Sequence, residues 1–318
     1  GSEKFITSLE QIADNRIYVF TKKGSDDDLV YFAKITSRAK TVYGNAYMCE
    51  MSIDKNMGIR INIGKNIDIN VFILMRALGI ETDKDIYENI VYDLSDSEMV
   101  NVVKQSLFSN NSEMVTFPDG KMDVIIKQTQ ALEYLKTKMF SRKFSDTNQQ
   151  DKLDQQYYAI LEYLKNDFLP HLGNEEEQML IKGKFLGYMA HCLLLCYLGR
   201  NEPDNRDSYV NKRVELPGEL LNQLFKPAVK KMINETSKKF RKKIRGMQGA
   251  NYPNVISVIL QSNTIEITII QSLATGAWGG IGSKRKGVAQ MLQRLTFLQS
   301  ISYLRRVMSS STDKTNKN

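Results

Sequence analysis

LGYMAHCLLLCYLGRNEPDNRDSYVNKRVELPGELLNQLF, residues 186–225, makes three structural statements in succession. It opens on apolar residues dense enough for a helix packed on more than one side. It breaks at NEPDNRD, a composition of Asn, Pro and Asp that marks a turn. A second helical pattern then starts near Leu216 and turns basic, running through KKMINETSKKFRKKIR to Arg245. An apolar helix belongs in a core, whereas a cation-rich one faces water or a polyanion. The chain therefore passes from one environment to another within this stretch.

Upstream, RIYVF (16–20), AYMCEMSI (46–53) and GIRINI (58–63) cluster β-formers between the turn-like GSDDD and DKNMG segments and read as a small antiparallel sheet. After Asp68 the spacing becomes helical, with Asp68 as cap, Val71, Phe72, Leu74, Met75 and Leu78 on the helix, and Gly79 closing it. A second helix starts near Thr82 or Asp83 with Ile86, Ile90 and Val91 inward. Residues 94–140 read as mixed helix and turn, with a turn at FPDG (117–120). The polar KFSDTNQQDKLDQQ (143–156) reads as a mobile loop before a helix through Tyr157, Ile160, Leu161 and Leu164, and the most apolar helix spans 179–198. The fold class is α+β: a mixed domain with a small antiparallel sheet and helices, then a region of long helices and loops.

With 318 residues and 42% apolar composition, the chain has material for two or three domains with real cores. Cys49, Cys192 and Cys196 form no paired pattern, which favours a reducing compartment. FLGYMAHCLLLCYLG (185–199) reads as too short and interrupted for a membrane span, so no membrane partner is expected. The first residue is not Met, and the expectation is a chain cut or processed from something longer. From residue 226 onward, seventeen Lys and Arg face three acids, a net +14; the remainder carries 27 basic and 33 acidic residues, a net −6. That split suits a nucleic-acid surface joined to a domain that faces something else. Exposed basic helices also occur simply as solvated faces, and for 230–245 both readings stay open.

Catalytic chemistry finds little support. His191, Cys192 and Cys196 offer metal-ligand types on one helix, but nothing completes a closed site, so core packing is the better reading. His171 follows a proline in a loop and suggests no role. GAWGGIGSK lacks the GxxxxGK[ST] spacing of a phosphate loop. The acidic runs at 26–28 and 175–177 read as solvated turns. No catalytic residue and no metal ligand is assigned. A binding reading remains for LATGAWGGIGSKRKGVAQMLQRL (273–295): Lys284, Arg285 and Lys286 sit on a glycine-flanked loop, and Gln290, Gln293 and Arg294 follow at helical spacing, a set of cations and amides suited to phosphates and sugar edges. Trp278 reads either as a base-stacking platform or as an anchor on its own domain, the anchor being favoured.

Several motifs, in order, resemble the second-largest subunit of eukaryotic-type multisubunit RNA polymerases. The 186–225 stretch is similar to the family pattern LGYM, LLLC, DDRDxxxxKRLDLAGPLL, LF, with Asp204, Arg206, Asp207, Lys212 and Arg213 in matching places. LATGAWG and GVAQMLQRLTFLQSISYLRR resemble the family's fork region, with its LATGNWG, GVSQVLNR and LSHLRR. RALGIETDKDIYENIVYD (76–93) resembles its lobe motif, and GSEKF its GSEKV. Asn205 in place of Asp, Pro217 near the family's Ala-Gly, and the insert GGIGSKRK depart from the pattern.

The resemblance implies 1–15 as the end of a first protrusion segment, 16–212 as the lobe, 213–272 as the protrusion return and 273–318 as a truncated fork region. It implies one wall of the DNA cleft and fork loops near the RNA–DNA hybrid, with Gln290 beside the RNA and Arg305 and Arg306 ending the fork's helical run. The implied partners are template DNA, the RNA–DNA hybrid, the largest and smaller polymerase subunits, and initiation factors on the lobe. Nucleotidyl transfer would use Mg2+ held on another subunit, with no cofactor in this chain. The implied compartment is the nucleus, or the cytoplasm or virion for a large DNA virus. The alternative is a free-standing adaptor that binds nucleic acid or polymerase without catalysis.

Overall fold

The computed structural model describes residues 2–23, 29–39, 46–54, 57–63, 67–110, 114–116, 122–140, 149–245, 255–260, 262–278 and 285–309. The chain divides into two compact units, 13–206 and a second made of 1–12 with 207–318. Strands β1 (Lys4–Ile6) and β2 (Ser8–Ile12) belong to the second unit.

The 13–206 unit is built on an antiparallel meander of β3 (Tyr18–Lys23), β4 (Leu29–Arg38), β5 (Ala46–Ile53), β6 (Ile59–Ile63) and β7 (Ile67–Asn70), paired in that order. Side chains alternate across a strand, so Ile59, Ile61 and Ile63 enter the core with Ala33, Ile35, Cys49 and Met51. The expected strands over 46–53 and 58–63 are present, and the one expected at 16–20 runs over 18–23. Asp68 does not cap a helix. Residues 67–70 pair with β6 instead, and Asn70 is the cap, its Oδ1 accepting from Phe72 N at 3.0 Å.

Helix α1 (Val71–Ala77) is buried throughout, and Gly79 closes it at φ +103°. Helix α2 (Asp83–Ile90) starts at Thr82, whose hydroxyl accepts from Asp85 N, and buries Ile86 and Ile90. Then come α3 (Ser97–Asn110), the antiparallel pair β8 (Met114–Thr116) and β9 (Met122–Val124), α4 (Gln128–Met139) and α5 (Gln149–Glu162). Residues 149–156, expected in a loop, are thus helical, while 143–148 and the FPDG turn lie outside the described residues.

A π turn (Tyr163–Asp167) and a 3-10 turn (Pro170–Leu172) lead to α6 (Glu177–Tyr197), which packs on α1, α2 and the sheet. With 21 residues and a mean hydropathy of 1.3 over its most apolar window, α6 meets the length and composition of a membrane span, which corrects the shorter segment expected from sequence. Half of that window is buried inside the protein. Leu186, Met189, Ala190, Leu193 and Leu194 are fully buried in the core, and Gly187 lets α2 approach so closely that a Cβ there would meet Asn89 O at 2.5 Å.

The turn after α6 is pinned to the sheet. Asp204 accepts from Val19 N at 2.9 Å through its carboxylate and donates its own amide to Val19 O at 2.8 Å, while the Arg206 guanidinium lies 4.6 Å from the Phe20 ring centroid. This gives Asp204 and Arg206 structural work within the 13–206 unit.

In the other unit, β10 (Lys212–Glu215) pairs antiparallel with β2, and the long α7 (Pro217–Arg245) follows, within one residue of the expected start. Then come α8 (Val255–Leu260), α9 (Thr264–Thr275), β11 (Ala289–Met291), α10 (Phe297–Leu304) and β12 (Val307–Ser309). Strand β11 pairs with β1 and β12 runs parallel to β2, so the segment 2–12 and the far end of the chain form one structure.

Candidate nucleic-acid interface

Helix α9 ends at Gly276 in the left-handed region, φ +70°. Glycine is required there on a second count: an added Cβ would lie 2.8 Å from Ala289 O. From Gly276 the chain runs alongside its own return. Val288 N donates to Gly276 O at 3.1 Å, Trp278 N to Arg285 O at 2.9 Å, and Thr7 N to Val288 O at 2.9 Å. Residues 276–278 and 285–288 are therefore held against each other. Lys284 lies outside the described residues.

Trp278 is the anchor of this pairing. It is 1% exposed, packed with Leu9, Leu220, Leu224, Val288 and Ala289, and its Nε1 donates to Leu220 O at 2.7 Å. A ring so enclosed cannot stack on a base, which decides between the two readings of this tryptophan.

Arg285 is half-buried. Its guanidinium donates to Gln223 Oε1 at 2.8 Å and Gln11 Oε1 at 3.0 Å, and lies 3.5 Å from Glu215 Oε2. It knits β2, β10 and α7 together. Lys286 beside it is exposed. Gln290 is on β11 opposite Phe5, with its Nε2 donating to Gly287 O at 3.0 Å.

The continuous helix expected over Gln290, Gln293 and Arg294 is absent. Residues 289–291 are a strand because β1, nearly three hundred residues away in sequence, supplies a pairing partner, and Gly287 at φ +77° breaks any helical run before it. Helix starts only at α10, where the Thr296 hydroxyl accepts from Gln299 N at 3.1 Å. Gln293 and Arg294 lie in the exposed connection. Arg294 bonds Glu3, and this hydrogen bond, with the Arg294 charge, holds the Glu3 carboxyl below the usual range. Arg305 caps α10 and is exposed.

Tyr303 ties this group together. Its hydroxyl donates to Gln293 Oε1 at 3.3 Å, its ring lies 4.0 Å under the Arg306 guanidinium, and Phe5 meets it at 5.8 Å between centroids. Gln293 and Arg306 are thus gathered around one ring, Lys286 and Gln290 flank Gly287, and Arg285 is turned to its own unit. Tyr303, Phe5 and Glu3 escaped the sequence reading; the tyrosine's i, i+3 spacing to Arg306 is the one local signal that points to it. The same segment exposes Leu295, Phe297 and Leu298, each about four-fifths accessible, with Met291, Leu304 and Val307 half-exposed or more.

The other candidates resolve into packing. His191 Nδ1 bonds Ile90 O at 2.9 Å, its ring meets Tyr92 edge-on, and burial pushes the Cys192 and Cys196 thiols up. His171 has a role after all, its Nδ1 lying 2.7 Å from Ser37 Oγ and its ring against Phe185. Among the described residues no three His, Cys, Asp or Glu side chains gather around a common point.

A five-stranded meander packed on a buried helix, with a turn that pins Asp204 to its first strand, is followed in the chain by a basic unit anchored by Trp278. The family model for RNA polymerase Rpb2, domain 2, matches residues 13–215, and the chain belongs to that family. It is similar to DNA-directed RNA polymerase subunit 2 of Acanthamoeba polyphaga mimivirus, 34% identical over 326 residues that cover 98% of this chain and 26% of the relative. It is also similar to DNA-directed RNA polymerase II subunit RPB2 of Encephalitozoon cuniculi, 33% identical over 96% of this chain and 25% of the relative. A third relative is DNA-directed RNA polymerase subunit Rpo2 of Sulfolobus acidocaldarius, 33% identical over 98% and 25% respectively. The chain spans about a quarter of the length of these curated relatives.

Proposed function

We propose that this chain serves a DNA-directed RNA polymerase as part of its second-largest subunit, forming one wall of the DNA cleft and the fork loops near the RNA–DNA hybrid. The observation that carries the reading is the similarity to three such subunits across nearly the whole chain. Two physical features support it. The net +14 from residue 226 onward suits nucleic acid, and the exposed Leu295, Phe297 and Leu298 form the kind of apolar surface that an assembly covers.

In this reading Lys286, Arg305 and Arg306 neutralise phosphates, and Gln290 and Gln293 offer amides to sugar and base edges. Arg285 and Trp278 hold the loop base in position, and Arg294 is fixed by Glu3. Lys284 is assigned by its place in the sequence alone. In this reading nucleotidyl transfer, with its Mg2+, falls to other parts of the polymerase, and this chain contributes binding. Template DNA, the hybrid, the other polymerase subunits and initiation factors on the 13–206 unit are the proposed partners, in a nucleus or in the cytoplasm or virion of a large DNA virus.

The test is the native state of the protein in its source, read with an antibody against residues 200–220. A band several times heavier than this chain, sedimenting with transcription activity, is expected. A species that sediments apart from transcription activity overturns the reading.

A further inference from the structure

Helices α2 and α3 of the 13–206 unit hold a groove that the nucleic-acid reading does not use. They follow one another in the chain, and the Tyr87 hydroxyl on α2 donates to Val100 O on α3 at 2.6 Å, tying the two together. Beside Tyr87 lies a cavity of 460 Å³, within the range of about 300–1,000 Å³ typical of small-molecule sites. One face of α2, from Asp83 to Glu88, lines one side, and one face of α3, from Lys104 to Phe108, lines the other. Leu94, in the connection between the helices, completes the lining. Leu94 and Phe108 are 62% and 74% exposed, so the walls carry apolar area that an occupant takes out of water. The Tyr87 hydroxyl is already engaged by Val100, which leaves its ring as its share of the lining.

Of the charged residues at the cavity, all but one are matched. Asp83 is ion-paired with Arg76, whose side chain is buried and also donates to Ile125 O. Lys84 pairs with Glu88 at 3.7 Å. Lys104 is exposed and has no ion-pair or hydrogen-bond partner among the described residues. The groove is therefore an apolar site with one uncompensated positive charge. A nucleic-acid backbone needs several free cations, and a lining with two acids and four apolar residues does not supply them. Helix α2 has eight residues, a length of about 12 Å, so the occupant is short.

We propose that the groove between α2 and α3 binds a small amphipathic organic anion, an apolar body the size of two fused rings that carries one carboxylate for Lys104. Apolar burial against Tyr87, Leu94, Leu107 and Phe108 supplies the affinity, and the charge-assisted bond to Lys104 selects the anion over its neutral counterpart. The site belongs to the 13–206 unit and does not rest on the assignment of residues 285–306.

The experiment titrates 2-naphthoate, and separately the neutral 2-naphthamide, into the 318-residue chain with isotope-labelled leucine methyl groups, read by NMR. Leu94 and Leu107 line the cavity, whereas Leu295 and Leu298 are exposed in the other unit and report general adhesion. The expected result is saturable shifts at Leu94 and Leu107 alone, with a Kd on the order of 1 mM for the carboxylate and binding about fivefold weaker for the amide. K104Q is expected to abolish the difference between the two compounds, and K104R to keep it. F108S, at a mostly exposed position, is expected to weaken both compounds by a similar factor. Shifts at Leu295 and Leu298 that track those at Leu94 and Leu107, a carboxylate preference that survives K104Q, or the absence of saturation by about 10 mM would each overturn the proposal.

Discussion

The indole Nε1 of Trp278 donates to the backbone carbonyl of Leu220 at 2.7 Å, joining the segment after α9 to the first turns of α7. Trp278 is the chain's only tryptophan and is buried, so its fluorescence reports the unit of 1–12 and 207–318 alone. Trp278→Phe keeps most of the volume and loses the bond, an expected cost of about 1–2 kcal/mol. Trp278→Ala empties the site and is expected to cost about 3–5 kcal/mol. Hydrogen exchange at Val288 and Ala289, beside the ring, checks both. Equal protection in all three proteins would contradict the anchor role.

Arg285 is a positioning residue in the same unit. Arg285→Lys keeps the charge but cannot span Gln223, Gln11 and Glu215 together. The expected loss is about 1–2 kcal/mol in urea unfolding followed by Trp278 fluorescence. A variant with wild-type stability would mean that the network is incidental.

Two glycines four residues apart on α6 are expected to behave differently. A Cβ at Gly187 would meet the Asn89 backbone carbonyl at 2.5 Å, whereas one at Gly183 would meet the tip of the Ile80 side chain at 2.9 Å. Backbone cannot yield as a side chain can. Gly187→Ala is expected to destabilise the 13–206 unit by about 1–3 kcal/mol through overpacking, and Gly183→Ala by much less. Thermal unfolding of the two variants, read by circular dichroism, makes the comparison.

Lys182 is fully buried, with its ammonium donating to the carbonyls of Leu164, Lys165 and Phe168 at 2.6–2.9 Å. Burial pulls its pKa down to about 8, against a smaller opposing pull from Asp167. Between pH 8 and the ordinary lysine value, the unfolded chain holds a proton that the folded one has released, so this group's contribution to stability rises with pH there and is flat below. Burial of Cys49, its thiol pushed up to about 12, acts in the opposite sense above pH 9. The difference between the protein and Lys182→Met cancels that contribution. It is expected to grow in favour of the lysine by about 2–3 kcal/mol across the window, measured as urea unfolding at pH 7.5, 9 and 10. A pH-independent difference would contradict the burial argument.

Much of the 13–206 unit was legible because its signals are local. The β-formers at 46–53 and 58–63, the cap at Thr82 and the closing Gly79 all sit within a few residues of the structure they specify. Residues 67–70 were misread because Asp68 and Asn70 are both good caps, and only the pairing of β7 with β6 selects the later one. The 289–291 strand was illegible for a stronger reason: its partner is residues 4–6, and no window along the chain contains both. Local periodicity there favoured helix, and tertiary pairing overrode it. The same holds for Arg285, whose loop context suggested a free cation while its acceptors come from β2, β10 and α7. Thr296 followed three residues later by Gln299 is a local helix-start signal, and helix α10 begins there.

In the proposed function Lys286, Gln290, Gln293, Arg305 and Arg306 meet nucleic acid inside a polymerase. The most direct measurement places a photo-crosslinking amino acid at Gln293, which is exposed beside Tyr303 and Arg306, in the polymerase purified from the source and stalled on a template with labelled RNA. A crosslink to the RNA or template strand of the hybrid, lost when the RNA is released, is the predicted result. Crosslinks confined to protein, with the complex still stalled and intact, would contradict the account.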